Sequence, residues 1–155
     1  MTIATSFSPT QLAGQRLMIG FEGTALNDEL KHAIDHMKVG GIILFAINLK
    51  SPEQITSLCA AAQEYAALCG QPPLFIAIDQ EGGQVARLKP PFTQFEGNAK
   101  MTGETDAIKF ARITSKELLG IGVNMDMAPK EIDSIMAKRS FWLTKRFGCA
   151  LCESD

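Results

Sequence analysis

"PLFIAIDQEGGQVARL", residues 73–88, decides how the rest of the chain is read. Leu74 to Ile78 is a continuous apolar run, the pattern of a strand covered on both faces. It passes directly into Asp79, Glu81, Gly82, Gly83 and Arg87. A buried strand that opens onto two carboxylates and an arginine has the makings of a polar mouth, and Gly82–Gly83 is expected to turn the chain at once.

Local chemistry leaves three readings open. Asp79 and Glu81 are two residues apart, so an unbroken strand would aim them to one side, near the ~5 Å separation of an acid and nucleophile pair in a retaining glycosidase. In the second reading, Asp79 accepts hydrogen bonds from adjacent sugar hydroxyls, Arg87 supplies a rigid donor fork, and the glycines admit a ligand close to the backbone. The third is an Asp79–Arg87 ion pair above an ordinary loop.

Outward from this stretch the chain alternates. Short apolar runs lie at 17–21, 42–47 and 123–128, and helical patterns at 9–15, 26–37, 51–69 and 104–120. In the 51–69 segment Ser51 caps, Pro52 suits the first turn, Gln54 completes a capping box and Gly70 follows the end. Its stripe is Ile55, Leu58, Ala62, Tyr65 and Cys69; the 26–37 helix offers Leu30, Ala33, Ile34 and Met37, and the last helix Ile108, Ala111, Ile113, Leu118 and Leu119. Strands alternating with helices imply an α/β fold with parallel strands, either an open doubly wound sheet or part of a (β/α)8 barrel. Neither G-x-G-x-x-G nor G-x-x-x-x-G-K-[ST] occurs. Asn48, Asp79 and Asp126 fall at the C-terminal ends of strands, where barrel enzymes place their chemistry, so the barrel is preferred. About four βα units are visible, where a whole barrel needs about 250 residues.

With 155 residues, 46% of them hydrophobic, and a formal net charge of -2, the chain is long enough for one substantial core and has no basic face for nucleic acid or a membrane surface. Its first residues read as neither leader nor anchor, and the expected location is cytoplasmic. The four cysteines are expected to be reduced; Cys149 and Cys152 form a C-x-x-C with no second pair at zinc spacing. The two histidines, His32 and His36, lie opposite the apolar stripe of their helix, so they read as a solvated face. No metal or cofactor is expected.

"IDQEGGQVARL" also resembles the D-Q-E-G-G-x-V-x-R signature of family 3 glycoside hydrolases, in the β-N-acetylhexosaminidase branch. "LMIGFEGT", "GGIILFAINLKSPEQI", "FEGNAKM", "ELLGIGVNMDMAP" and "IDSIMAKRSF" resemble family segments in the same order, covering residues 10–129 with a further patch to Phe141. The resemblance implies a (β/α)8-type barrel and hydrolysis of terminal N-acetylglucosamine, with Asp79, Arg87 and Arg139 binding the sugar and Glu81 supporting the loop. It also implies a nucleophilic aspartate late in the barrel and a histidine in a K-H-x-P-G-H-G loop; the 155 residues contain no such loop. Catalytic residues are therefore assigned to none of them.

Three departures accompany the resemblance: residues after Pro129 run into "KEIDSIMAKRSF" as though several were deleted, Ile47 stands where the family usually has arginine, and the segment after Phe141 resembles nothing in the family. The expectation is that residues 1–129 are the N-terminal half of a barrel, that 130–155 are a divergent or frame-disrupted tail, and that the chain is inactive alone. A non-catalytic sugar-binding fragment is the alternative, and self-association through exposed barrel edges is expected of either.

Overall fold

The computed structural model describes residues 7–97 and 100–127. Helix α1 (Pro9–Gly14) leads into β1 (Met18–Ile19), α2 (Asp28–Asp35), β2 (Gly41–Leu44), α3 (Pro52–Leu68) and β3 (Phe75–Ile78). There follow β4 (Gln80–Gly82), β5 (Val85–Ala86), α4 (Glu104–Gly120) and β6 (Met125–Asp126). The four parallel strands stand in the order β1-β2-β3-β6, and β4 and β5 form a separate antiparallel hairpin. This is α/β architecture with a parallel sheet, as the alternating pattern implies. Contacts divide the chain into two compact units after Ile76, within β3.

In the first unit β1 pairs with β2 in the register Met18 with Gly41 and Ile19 with Ile42, and Phe75 N–H continues the ladder to Gly40 C=O at 2.9 Å. Ile42, Leu44 and Ile76 are fully buried, as a strand covered on both faces requires. Leu30, Ala33 and Ile34 of α2 and Ile55, Leu58 and Ala62 of α3 are buried as their spacing predicts. Three details differ from the sequence reading. Met37 follows the end of α2 and is exposed, while Val39 two residues on is buried in its place. Tyr65 and Cys69 are only half-buried, and Ala66 and Cys59 complete the α3 stripe. Ser51 does cap α3, but Gln54 Oε1 accepts from Lys50 N–H rather than from Ser51, so the reciprocal capping box does not close there. One does close on α1, between Ser8 and Gln11.

In the second unit β3 and β6 pair through Ala77 with Met125 and Ile78 with Asp126. The buried face of α4 is Ala107, Phe110, Ala111, Thr114, Ser115 and Leu118, whereas the expected Ile108 and Leu119 are exposed. Phe110 sets this phase: its ring packs edge-on against Phe95 at 5.0 Å, which rotates the neighbouring Ile108 outward. On α2 and α3 of the first unit, the cysteine and the histidines read from the sequence also find their places: Cys59 is buried and its thiol pushed up to about 12 by desolvation, which makes it unreactive. His32 and His36 lie exposed on α2 with ring centroids 4.8 Å apart. Arg139, Cys149 and Cys152 lie outside the described residues.

Candidate functional site

Strand β3 buries Ile76, Ala77 and Ile78 and then releases Asp79 at its end. The Gly82–Gly83 turn reverses the chain: both residues have positive φ, 83° and 60°, where a side chain is strained. A Cβ on Gly83 would stand 2.7 Å from Glu96 C=O, so the turn is also closed by the backbone packed against it. Gly83 N–H donates to Phe95 C=O at 2.8 Å. The 92–95 segment is in turn fixed to α4, because Glu117 accepts from Thr93 N–H at 3.0 Å and from Thr93 Oγ1 at 2.6 Å.

This hairpin returns Arg87 to Asp79. Arg87 Nη2 donates to Asp79 Oδ2 at 3.0 Å, with the two side chains 32% and 22% exposed. The pair is thus screened from most solvent yet reachable. Arg87 Nε is buried and has no hydrogen-bond partner among the described residues, so within them the guanidinium orientation rests on the Asp79 bond and on packing. Sequence reasoning named Asp79 and Arg87 together, and the structure brings them together; Arg139 is the one member of that set it does not describe.

A third carboxyl belongs to the same neighbourhood. Asp126, at the end of β6, accepts the Gln80 N–H at 3.0 Å. Burial raises its pKa to about 7, the Gln80 bond opposes that rise, and the negative charges of Asp79 and Glu81 add to it. Gln80 itself is buried, and its Oε1 accepts from Leu88 N–H at 3.0 Å. Sequence reasoning did not single out Gln80; a polar residue inside an otherwise committed signature was the only available signal.

Asn48 has a different fate from the one its position at a strand end suggests. Fully buried, it donates through Nδ2 to Phe21 C=O at 3.0 Å and Gly23 C=O at 2.7 Å, and accepts from Phe45 N–H at 2.9 Å. Its amide is a brace for the loops after β1 and β2 and is not offered to a ligand. Ile47, beside it, is exposed. Among the described residues no group of three or more His, Cys, Asp or Glu side chains could hold a metal ion.

With this geometry in hand, the chain can be set beside known proteins. The model of the glycosyl hydrolase family 3 N-terminal domain matches residues 10–141. The chain belongs to glycosyl hydrolase family 3. A β-hexosaminidase A from Pseudoalteromonas piscicida is 38% identical over 144 residues, covering 77% of this chain and 24% of that protein. A family 3 β-N-acetylglucosaminidase from Paenibacillus sp. str. FPU-7 superposes with a TM-score of 0.76 at 39% identity, over 80% of this chain and 24% of the other. NagZ from Neisseria gonorrhoeae, solved with N-trifluoroacetyl-D-glucosamine, gives a TM-score of 0.62 at 28% identity over 73% of this chain and 35% of that one. The chain thus spans a quarter to about a third of the length of these three proteins. These likenesses select the partial barrel over the open doubly wound sheet. Arg139 falls inside the family match.

Proposed function

We propose that this family 3 chain carries the saccharide-binding side of a β-N-acetylhexosaminidase, a glycosidase acting on terminal N-acetylglucosamine, and that the 155 residues alone bind the sugar without cleaving it. The observation that carries the reading is the half-screened Asp79–Arg87 pair at the end of β3, held by a hairpin whose turn is closely packed. Asp79 Oδ2 is engaged by Arg87 Nη2, which leaves Oδ1 to accept from sugar hydroxyls and the outer guanidinium edge to donate to ring substituents. This deploys the two residues as binding groups, in preference to Asp79 and Glu81 as acid and nucleophile. Arg139 is part of the proposed sugar-binding set, and the proposal extends to a cytoplasmic location and a role in the metabolism of peptidoglycan or chitin-type sugars.

Self-association belongs to the same proposal: among the described residues β1 and β6 are the outer strands of the parallel sheet, and strand edges open to solvent favour pairing between copies. Sedimentation of the isolated chain tests it, a monomer at high concentration being the contrary result. The functional test is titration of the chain with N-acetylglucosamine, alongside an assay with an aryl N-acetylglucosaminide. Saturable binding that Asp79→Ala removes, without turnover, is the expected result; a chain that binds no N-acetylglucosamine defeats the reading, and turnover abolished by Asp79→Ala would make it an enzyme on its own.

A further inference from the structure

We infer that Gln80, held by Asp126, is a positioning residue that fixes the separation and aim of the Asp79–Arg87 pair. This rests on the saccharide-binding reading above and names what sets the geometry of that site. Gln80 follows Asp79 in the chain, and Leu88 follows Arg87. One hydrogen bond grips each of those neighbours: Asp126 Oδ1 takes the Gln80 N–H at 3.0 Å, and Gln80 Oε1 takes the Leu88 N–H at 3.0 Å. Gln80 also pairs with Ala86 across the hairpin, so the backbone is fixed on both sides of each binding residue.

Burial makes the arrangement rigid. Gln80 is 5% exposed and Leu88 2%, so the Leu88 N–H has no water to turn to if the Gln80 amide is removed. β5 ends at Ala86, so Leu88 lies past the paired residues of the hairpin and its N–H is held by the Gln80 amide instead. Among the described residues Asp79 is the hydrogen-bond partner of the guanidinium and its Nε is buried without one, so a displaced Leu88 would carry Arg87 with it. Asp126 anchors this clamp to the parallel sheet through its place in β6.

The test uses the 155-residue chain with three substitutions: Gln80→Met removes the acceptor at similar volume, Asp126→Ala removes the other anchor, and Asp126→Asn keeps a carbonyl oxygen for the Gln80 N–H. Two quantities are read, N-acetylglucosamine affinity and the NMR resonance of the Arg87 Nε–Hε group, which needs no sugar. Gln80→Met and Asp126→Ala should each weaken binding roughly five- to tenfold and shift the Arg87 resonance, while Asp126→Asn stays within about twofold and leaves the resonance in place. Unchanged affinity and an unmoved resonance in Gln80→Met overturn the inference. Should Gln80→Met fail to fold, the Asp126 pair decides: equal effects from alanine and asparagine count against positioning, and rescue by asparagine counts for it. Absence of sugar binding in the unsubstituted chain would sink the saccharide reading alone, since the Arg87 resonance still reports whether the clamp sets the pair.

Discussion

Of the strand ends that carry polar residues, those after β2 and β3 have opposite uses. After β2, Asn48 is fully buried and its side-chain amide bonds to backbone groups of loops 3 to 27 residues away. After β3, Asp79 and Arg87 stand partly exposed and bond to each other, with hydrogen-bonding capacity left over. A polar side chain whose capacity is exhausted by the backbone is a brace, whereas one with capacity remaining in a reachable place can take a ligand. The comparison is sharpened by substitutions that should separate stability from binding.

The largest loss of stability is expected at the brace. Asn48→Leu takes the partner from a buried carbonyl, that of Phe21, and from the part-buried Gly23 C=O and Phe45 N–H, and should destabilise the chain by on the order of 3–5 kcal/mol, read from the urea midpoint. Binding should fall only in proportion to the unfolded fraction. A stable Asn48→Leu chain with lost sugar binding would reverse the assignment and make Asn48 a ligand-facing group.

Next comes the turn that delivers Arg87. Gly83→Ala puts a methyl carbon 2.7 Å from Glu96 C=O at a φ of 60°, and should cost about 2–3 kcal/mol by thermal unfolding. Here stability and binding should fall together, because the hairpin is scaffold and site at once. A Gly83→Ala chain of unaltered stability would show that the turn is looser than its packing against Phe95 and Glu96 indicates.

Asp126 gives the comparison a pH axis. Its folded carboxyl holds a proton up to about pH 7, whereas unfolded it releases near the ordinary 3.8. Between those values the folded state binds more protons than the unfolded state, so stability falls as pH rises from about 4 to 7 and levels off above. Asp126→Asn should flatten that slope and raise stability at neutral pH by on the order of 2–4 kcal/mol, less what other groups contribute. Asp106, whose carboxyl is held below its usual value by the Thr102 N–H and hydroxyl, acts with the opposite sign and only below about pH 4. Equal slopes for the two chains between pH 4 and 7 would remove Asp126 from the account.

How much of this the residues announced depends on how far away each partner lies. The parallel α/β plan, the helix stripes around Leu30, Ile34, Ile55 and Leu58, and the pairing of Asp79 with Arg87 were all legible, because apolar periodicity and an eight-residue motif are local. The phase of α4 was not: Ile108 and Leu119 are as apolar as anything buried, and only contact with Phe95 selects the face carrying Phe110. Asn48 and Asp126 looked alike as polar ends of strands. Their roles diverge through partners up to 27 and 46 residues distant, which no local pattern encodes. Gln54 is intermediate: its place in the first turn of α3 was readable, but its Nε2 bond to Thr24 C=O at 2.6 Å, which draws it away from the capping box, was not.

The smallest change in stability is expected at Asp79, and that is where the two strand ends differ most. An ion pair with both partners partly exposed contributes about 0.5–1 kcal/mol, so Asp79→Ala should leave the unfolding midpoint almost where it was. Arg87 then keeps solvent on its outer edge, so no buried charge is stranded. Binding of N-acetylglucosamine should nevertheless disappear. A loss of stability approaching that of Asn48→Leu would mean that Asp79 is also a brace, and the distinction between exhausted and spare hydrogen-bonding capacity would then fail at the residue that best represents it.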